Sequence, residues 1–254
     1  MRPRDFHGTP RFELRRRLGE GGMGVVYEAF DTERAQLVAL KTLARADARS
    51  LLRFKNEFRA LHDIEHPNLV SLYELFEHEG VWFFTMELIE GVDFLTYVRG
   101  HEPRAGLDEA KLRAAMGELA RGVLALHRAD RVHRDIKPSN LRVTREGRVV
   151  LLDFGLVAPA TANERTTQGV VGTVSYMAPE LALSDTFGPA ADWYSVGVVL
   201  YEALTGRLPH TGGNALRVLL DKQQPPARTP RDWAPDAPAD LDALAMRLLA
   251  PAPE

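Results

Sequence analysis

The segment 133–140 brings three chemically different polar groups close together. Asp135 supplies a carboxylate, Lys137 an ammonium and Asn140 a carboxamide. This set suits phosphoryl transfer, which needs a group to take a hydroxyl proton, a cation for developing phosphate charge and an oxygen ligand for Mg²⁺. Asp135 need not be a strong base, because positioning the hydroxyl is most of its work. The segment therefore predicts a phosphotransferase site.

Two neighbouring positions extend this interpretation. Asp153, followed by Phe154-Gly155, is a second oxygen donor and, with Asn140, suits the hard cation Mg²⁺. Asp153 could otherwise be a simple turn residue before the glycine. For His133 we favour a structural role, as a packed histidine that shapes the loop.

A glycine cluster lies near the start of the chain, with Gly19, Gly21 and Gly24 in a G-x-G-x-x-G spacing. Glycine lacks a Cβ, so backbone N–H groups can approach phosphate oxygens closely. Taken alone, the cluster also fits a plain hairpin turn. A strand rather than a helix follows it, which argues against a dinucleotide fingerprint.

Lys41 ends an apolar strand, and Glu57 lies in the helical pattern that follows. A lysine at such a position is usually a solvated edge residue. A lysine paired with a glutamate, however, can be held as a point charge for phosphate oxygens. The order of the two residues, after the glycine cluster, favours the functional interpretation.

The predicted secondary structure that positions these residues changes from mainly strand to mainly helix along the chain. Hydrophobic periodicity predicts a strand-rich first third with one helix, and a mainly helical remainder after Gly91. The predicted strands are 12–18, 25–27, 37–41, 69–73, 81–86, 141–143 and 149–152. The predicted helices are 51–61, one that Asp108 caps and that runs to Leu126, a fully buried one over 192–204, and a last one over 241–249. Residues 156–171 and the proline-rich stretch 223–238 are predicted to be irregular.

Composition narrows the class of protein. The 254 residues are 45% hydrophobic and 26% charged, with a net charge of −3 and no cysteine. The charge predicts no binding to nucleic acid, and the absence of thiols excludes disulfides and fits a cytoplasmic protein. The sequence contains no secretory signal and no apolar run long enough to cross a membrane.

Over nearly its whole length, the sequence resembles a eukaryotic-like (Hanks-type) protein kinase catalytic domain. The resemblance is strongest to the bacterial serine/threonine kinases of that family. The matching motifs occur in family order: the glycine cluster, Val38–Lys41, Glu57, His133–Asp135, Asp153–Gly155, Gly172–Glu180 and Asp192. The resemblance implies an α+β, bilobal fold, with a small antiparallel N-lobe sheet carrying one main helix and a larger, mainly helical C-lobe. It places the N-lobe at 1–87, the hinge at 88–92 and the C-lobe at 93–254.

The resemblance also implies ATP as the phosphoryl donor and Mg²⁺, with Mn²⁺ as an alternative, held by Asn140 and Asp153. Lys41 would contact the α- and β-phosphates and pair with Glu57. The implied nucleotide-binding residues are Gly19, Gly21, Gly24, Val26, Ala39, Lys41, Met86 as gatekeeper, Glu87 and Ile89 of the hinge, Asp93 near the ribose, and Arg142.

On the acceptor side, the resemblance implies that Asp135 orients a protein Ser or Thr hydroxyl and that Lys137 neutralises the transferring group. Thr173 matches the acceptor-binding platform of Ser/Thr kinases. Arg134 would pair with a phosphate placed by autophosphorylation on Thr166 or Thr167, with Thr161 as a weaker candidate. A homodimer would serve autophosphorylation in trans.

Two positions depart from the family pattern. Arg142 replaces an aliphatic residue beneath adenine; its stem could pack on the ring, or it could crowd the pocket. The chain stops near the point where an arginine partner for Glu180 would follow, so we expect a loosened C-terminal end and reduced activity. The alternative functions are a nucleotide-binding pseudokinase that acts as a scaffold and a small-molecule phosphotransferase of similar fold.

Overall fold

The computed structural model describes residues 6–21, 24–43, 48–100, 106–153, 174–182, 188–212 and 214–251. These residues divide into two compact units. The first ends at Glu90 and the second begins at Gly91. Strands dominate the first unit, and helices dominate the second.

The first unit is a five-stranded sheet with one helix. Its elements are β1 (Phe12–Gly21), β2 (Gly24–Asp31), β3 (Gln36–Thr42), α1 (Ala48–His62), β4 (Leu72–His78) and β5 (Val81–Glu87). The strand order is β1-β2-β3-β5-β4, and every neighbouring pair is antiparallel. The glycine cluster forms the hairpin between β1 and β2, and Glu79-Gly80 form the turn between β4 and β5.

The predicted residue range of β4 was wrong. The sequence pattern favoured 69–73, whereas the strand runs from Leu72 to His78. This stretch contains Glu74, which disfavours a strand when local pattern alone is considered. In the fold the Glu74 carboxylate lies 3.0 Å from the Arg11 guanidinium and 2.7 Å from that of Arg34. Partners distant in sequence therefore compensate the charge.

The two faces of this sheet are covered differently. Side chains alternate along a strand, so Val38 and Leu40 of β3 point to one face and form a core cluster with Phe12 and Phe83. On the opposite face α1 packs against the ring of Phe84, with ring-centroid distances of 5.8 Å from Phe54 and 5.6 Å from Phe58. The helix therefore covers the face that carries the odd-numbered positions of β3.

The second unit is mainly helical and also contains a small sheet. Its helices are α2 (Phe94–Arg99), α3 (Glu109–Arg128), α4 (Ala190–Thr205), α5 (Ala215–Asp221), α6 (Pro230–Trp233) and α7 (Ala239–Leu248). The strands β6 (Val92–Asp93), β7 (Leu141–Val143) and β8 (Val149–Leu151) form an antiparallel sheet in that order. Within the described ranges, no helix combines the length and apolarity of a bilayer span.

Two helix predictions are confirmed in detail. Asp108 caps α3, because its Oδ1 accepts the backbone N–H of Lys111 at 3.0 Å. The mainly apolar helix α4 is buried along nearly its whole length and contacts α2, α3, α6 and α7. A Cβ at Gly197 would lie 2.7 Å from the Leu248 Cβ, so the close approach of α7 requires glycine there.

The prediction that 223–238 is irregular was wrong in part, because α6 interrupts it. Pro230 occupies the first turn, and the Asp232 carboxylate accepts the backbone N–H of Thr229 at 2.7 Å. This Thr-Pro-x-Asp pattern is a helix-start signal that a proline-rich composition obscured. Helices α2 and α5 were not predicted either, since each is short. The α+β fold class, with a strand-rich N-lobe and a helical C-lobe, is confirmed.

Candidate active site

Four of the residues predicted to bind nucleotide share one face of the first unit's sheet. Lys41 is directly paired with Val26 on β2, and Ala39 with Met86 on β5. Paired residues in an antiparallel sheet point to the same side, as do residues two apart on one strand. Lys41 is 7% exposed, so its cation is held largely away from solvent.

Glu57 lies on the helix that covers this face. It is three residues after Phe54 and four before Leu61, both buried, so it shares their side of α1. Phe54 contacts Phe84, and Phe84 is the strand partner of Lys41. The helix face that carries Glu57 is therefore turned towards the lysine's side of the sheet. The Lys41–Glu57 ion pair itself stays a prediction.

The glycine cluster has backbone features that suit an external ligand. A Cβ added at Gly19 or Gly21 would meet no described atom within 4 Å, so packing among the described residues does not explain the absence of a side chain. Gly24, the partner of Gly21 across the hairpin, has φ 137°, a value that other residues rarely adopt. These features fit a backbone that phosphate oxygens can approach.

In the second unit, Asp135 is held by the two residues with which it was grouped from sequence. The Lys137 Nζ donates to both Asp135 carboxylate oxygens, at 2.9 and 2.8 Å. The Asn140 Nδ2 donates to the Asp135 Oδ2 at 2.9 Å and to its backbone carbonyl at 2.8 Å. A carboxylate fixed by an ammonium and an amide is preorganised to orient a hydroxyl group.

The backbone before Asp135 is fixed from a distant helix. The buried carboxylate of Asp192 on α4 accepts the N–H groups of His133 and Arg134, each at 2.8 Å. Arg134 has φ 70°, a strained value for a residue with a side chain, and the hydrogen bond to Asp192 holds it there. His127 Nε2 lies 2.8 Å from the same carboxylate and donates to it.

His133 acts as the structural residue that the sequence suggested. Its ring is buried, and its Nε2 donates to the Leu152 carbonyl at 2.8 Å. The Leu152 N–H in turn donates to the Asn140 carbonyl at 2.8 Å. Two hydrogen bonds therefore tie the residue before Asp153 to the loop that carries Asp135.

The residues expected to hold metal are an amide and a carboxylate. The two Asn140 Nδ2 contacts fix the amide plane, which leaves its Oδ1 as the ligand-type atom. Asp153 follows Leu152 with φ 51°. Among the described residues no three His, Asp or Glu side chains cluster as a metal site. A pair with one carboxylate suits Mg²⁺, which keeps phosphate and water oxygens among its ligands.

Other predicted residues lie in the part of the chain where the first unit ends and the second begins. The Glu87 N–H donates to the Ser71 carbonyl at 2.9 Å, and Ile89 follows in an irregular stretch. Asp93 has a structural role that was missed, because it caps α2 by accepting the Thr96 N–H at 3.0 Å. Its strand partner on β7 is Arg142, which is partly buried.

Several predicted residues lie outside the described ranges, namely Thr161, Thr166, Thr167, Thr173, Phe154, Gly155 and the 156–171 segment. Glu180 is described and is partly buried, and no described residue forms an ion pair with it. The expectation of a loosened C-terminal end remains untested. Sequence reasoning also missed Ser195 and Lys222, which bind the backbone of 174–177.

A buried lysine on a β-strand, a glycine hairpin and an Asp-Lys-Asn loop anchored by a helix aspartate define a phosphotransferase of the protein kinase class. Residues 12–253 match the protein kinase domain family. The chain therefore belongs to the protein kinase family.

Named relatives come from several bacteria. The chain is 31% identical over 247 residues to serine/threonine-protein kinase PrkC of Bacillus subtilis, covering 96% of this chain and 38% of that protein. It is 36% identical over 248 residues to serine/threonine-protein kinase PknE of Mycobacterium bovis, covering 96% and 43%. For PknL of M. bovis the identity is 38% over 244 residues, covering 92% and 60%. The chain thus spans 38 to 60% of the length of these relatives.

Proposed function

We propose that this chain is a serine/threonine protein kinase that transfers the γ-phosphoryl group of Mg-ATP to Ser and Thr hydroxyls of proteins. The observation that carries the proposal is the Asp135 carboxylate, which the Lys137 ammonium and the Asn140 amide fix within one loop. Relatives named serine/threonine-protein kinases, at 31 to 38% identity, support the same acceptor class. Nothing in these similarities favours the pseudokinase alternative.

The roles follow from the chemistry of each group. Asp135 accepts the hydroxyl proton as bond formation proceeds, and Lys137 offsets the charge of the group in transfer. Asn140 and Asp153 supply oxygen ligands for Mg²⁺, with Mn²⁺ as an alternative. A metal held by these two residues would offset the negative charge of the phosphate groups. Lys41, held by Glu57, positions the α- and β-phosphates.

The nucleotide is held by the glycine hairpin and the sheet face that carries Val26, Ala39 and Met86. The backbone at Glu87 and Ile89 binds the adenine edge. Asp93 reaches the ribose only if its carboxylate can serve both the sugar and the cap of α2. These assignments extend the family pattern to matching residues of this chain.

Regulation by autophosphorylation is part of the proposal. Arg134 directly precedes Asp135, and its backbone N–H is held by the Asp192 carboxylate. We propose its guanidinium as the group that pairs with a phosphate on the 156–171 segment. Thr166 and Thr167 are the proposed acceptors, reached in trans within a homodimer. Cytoplasmic ATP and protein acceptors make the cytoplasm the proposed site of action.

The decisive experiment incubates the protein with radiolabelled ATP, Mg²⁺ and a generic protein substrate. We expect transfer to Ser and Thr, and a loss of about 10²- to 10⁴-fold with Asp135→Asn. Asp130→Asn is the matched control, because Asp130 lies in an exposed turn with φ 55°, a conformation that asparagine also adopts. Nucleotide binding without transfer would indicate a pseudokinase. Transfer only to small molecules would indicate a small-molecule phosphotransferase. Peptide mapping of the same samples tests Thr166 and Thr167.

A further inference from the structure

Lys222, directly after α5, has an environment that is unusual for lysine. Its relative exposure is 0%, although lysines are almost never fully buried unless their charge is satisfied. The Nζ donates to three backbone carbonyls, those of Val174 at 2.8 Å, Ser175 at 2.7 Å and Met177 at 2.6 Å. An ammonium has three N–H donors, and these contacts use all three.

The backbone carbonyl of Tyr176, between Ser175 and Met177, is bound by a side chain of α4. The Ser195 Oγ on α4 lies 2.9 Å from the Tyr176 carbonyl and 3.1 Å from the Ala191 carbonyl within its own helix. The Tyr176 hydroxyl donates to the Glu202 carboxylate, also on α4. All four carbonyls of 174–177 are thus bound by side chains from α4 or the end of α5.

These carbonyls need partners because they lie inside the protein. Val174 and Ser175 are 4% and 6% exposed, and an unpaired buried carbonyl is costly. Burying the lysine is also unfavourable, since burial lowers the pKa of Lys222 to about 7. The three carbonyl acceptors oppose that shift, because they favour the charged form. An apolar residue would suit the core better, so the lysine serves the segment that it binds.

We infer that Lys222 is a positioning residue for the protein acceptor, because it fixes the backbone of 174–177. This segment lies within Gly172–Glu180, a motif of the family resemblance that also contains Thr173, the residue proposed for the acceptor-binding platform. The inference rests on the proposed function. Lys222 acts through the platform and touches none of the residues assigned to nucleotide or metal, so its effect is confined to the protein substrate.

The test compares Lys222→Met, which keeps the aliphatic stem and removes the donors, with the wild type. Hydrogen bonds to charged groups are strong enough that we expect KM for the protein substrate to rise about tenfold or more. KM for ATP and the slow hydrolysis of ATP without protein should stay within about twofold. Lys111→Met, at an exposed lysine of α3, is the matched control and should change none of these quantities.

Two further variants keep the inference testable if Lys222→Met fails to fold. Ser195→Ala removes one contact to the same segment and should raise the protein KM in the same direction. Lys222→Arg, which keeps charge and donors, should restore most of the affinity for protein. The inference is overturned if folded Lys222→Met has an unchanged protein KM, if ATP hydrolysis falls equally, or if Ser195→Ala has no effect. A wild-type protein that binds ATP yet phosphorylates no protein would refute the proposed function instead.

Discussion

The Asp192 Oδ2 accepts the backbone N–H of His133 at 2.8 Å, although the two residues are 59 positions apart. The same carboxylate receives the N–H of Arg134 and the His127 ring, and its own exposure is 0%. The position of Asp135 is therefore set by α4, the most buried helix of the second unit. Asp192 therefore couples folding stability to the geometry of the proposed catalytic loop.

Replacing Asp192 by Asn tests that coupling. The amide cannot accept every donor that the carboxylate accepts, and it brings N–H groups towards buried N–H donors. We expect a loss of about 1.5–3 kcal/mol in the free energy of unfolding, together with a fall in kcat. Urea unfolding and steady-state kinetics measure the two effects. Asp236→Asn, at an exposed position of the same unit, should change neither. Full stability in Asp192→Asn would contradict the anchoring role.

Arg142→Leu tests the proposal that Arg142 lies beneath adenine without obstructing it. Arg142 is partly buried and pairs with Asp93 across β6 and β7, so its stem can lie along the sheet while the guanidinium reaches solvent. We expect the Kd for ATP, measured by calorimetry, to change by less than about threefold. Arg145→Leu, on the exposed turn after β7, is the control. A gain of more than about tenfold would mean that Arg142 obstructs the nucleotide.

Arg11→Met tests the ion-pair network of the first unit. The Arg11 guanidinium binds both oxygens of Asp31, at 2.9 and 2.8 Å, and this carboxylate is 1% exposed. The arginine also lowers the pKa of Asp31. Removing it leaves a buried charge with a poor partner, so we expect a loss of about 2–3 kcal/mol in the free energy of unfolding at neutral pH.

The control for this network is Arg15→Met. Arg15 is 52% exposed and, among the described residues, forms an ion pair only with exposed Glu13, so the expected loss is below about 1 kcal/mol. Because the pKa of Asp31 is lowered in the folded state, the stability that it contributes is present above the unfolded pKa and is lost as the pH falls. The difference between the wild type and Arg11→Met should shrink in acid. Equal losses in both variants would rule out a special role for the buried pair.

His210 predicts a second pH effect. Burial lowers its pKa from 6.5 to about 4, with a smaller contribution from the Lys222 charge, and its Nε2 has no partner among the described residues. Between these pH values the unfolded chain binds a proton that the folded chain excludes. Stability therefore falls as the pH is lowered from 6.5 towards 4, by about 3 kcal/mol at most.

His210→Phe removes this titration and should flatten the dependence of unfolding free energy on pH across that window. Denaturant unfolding at several pH values measures the slope. His62→Phe, at an exposed histidine of the first unit, should leave the slope unchanged. The prediction fails if the His210→Phe slope matches the wild type.

Local sequence pattern predicted much of the fold for identifiable reasons. Glycines around an apolar alternation marked the β1–β2 hairpin, and Asp108 before a 3.6-residue stripe marked the start of α3. The mainly apolar sequence of α4 indicated burial on all sides. The displaced β4 and the unpredicted α6 show the limit, because Glu74 depends on distant arginines and α6 on a short capping pattern within a proline-rich stretch.

The sequence by itself determined the chemistry, because reaction class depends on residue types in a fixed order, as in Asp135, Lys137 and Asn140. Only the tertiary structure decided which polar residues are buried and what they bind. From the sequence, Lys222 is expected to be a solvated lysine at a helix end. In the structure it is buried, and its Nζ donates to the carbonyls of Val174, Ser175 and Met177. In the sequence Asp192 stands at the start of a helix, yet its carboxylate binds the backbone of the loop that carries Asp135. Such contacts join residues that are tens of positions apart in the sequence. Their strength depends on burial, which the tertiary fold sets and which local hydrophobic periodicity does not predict.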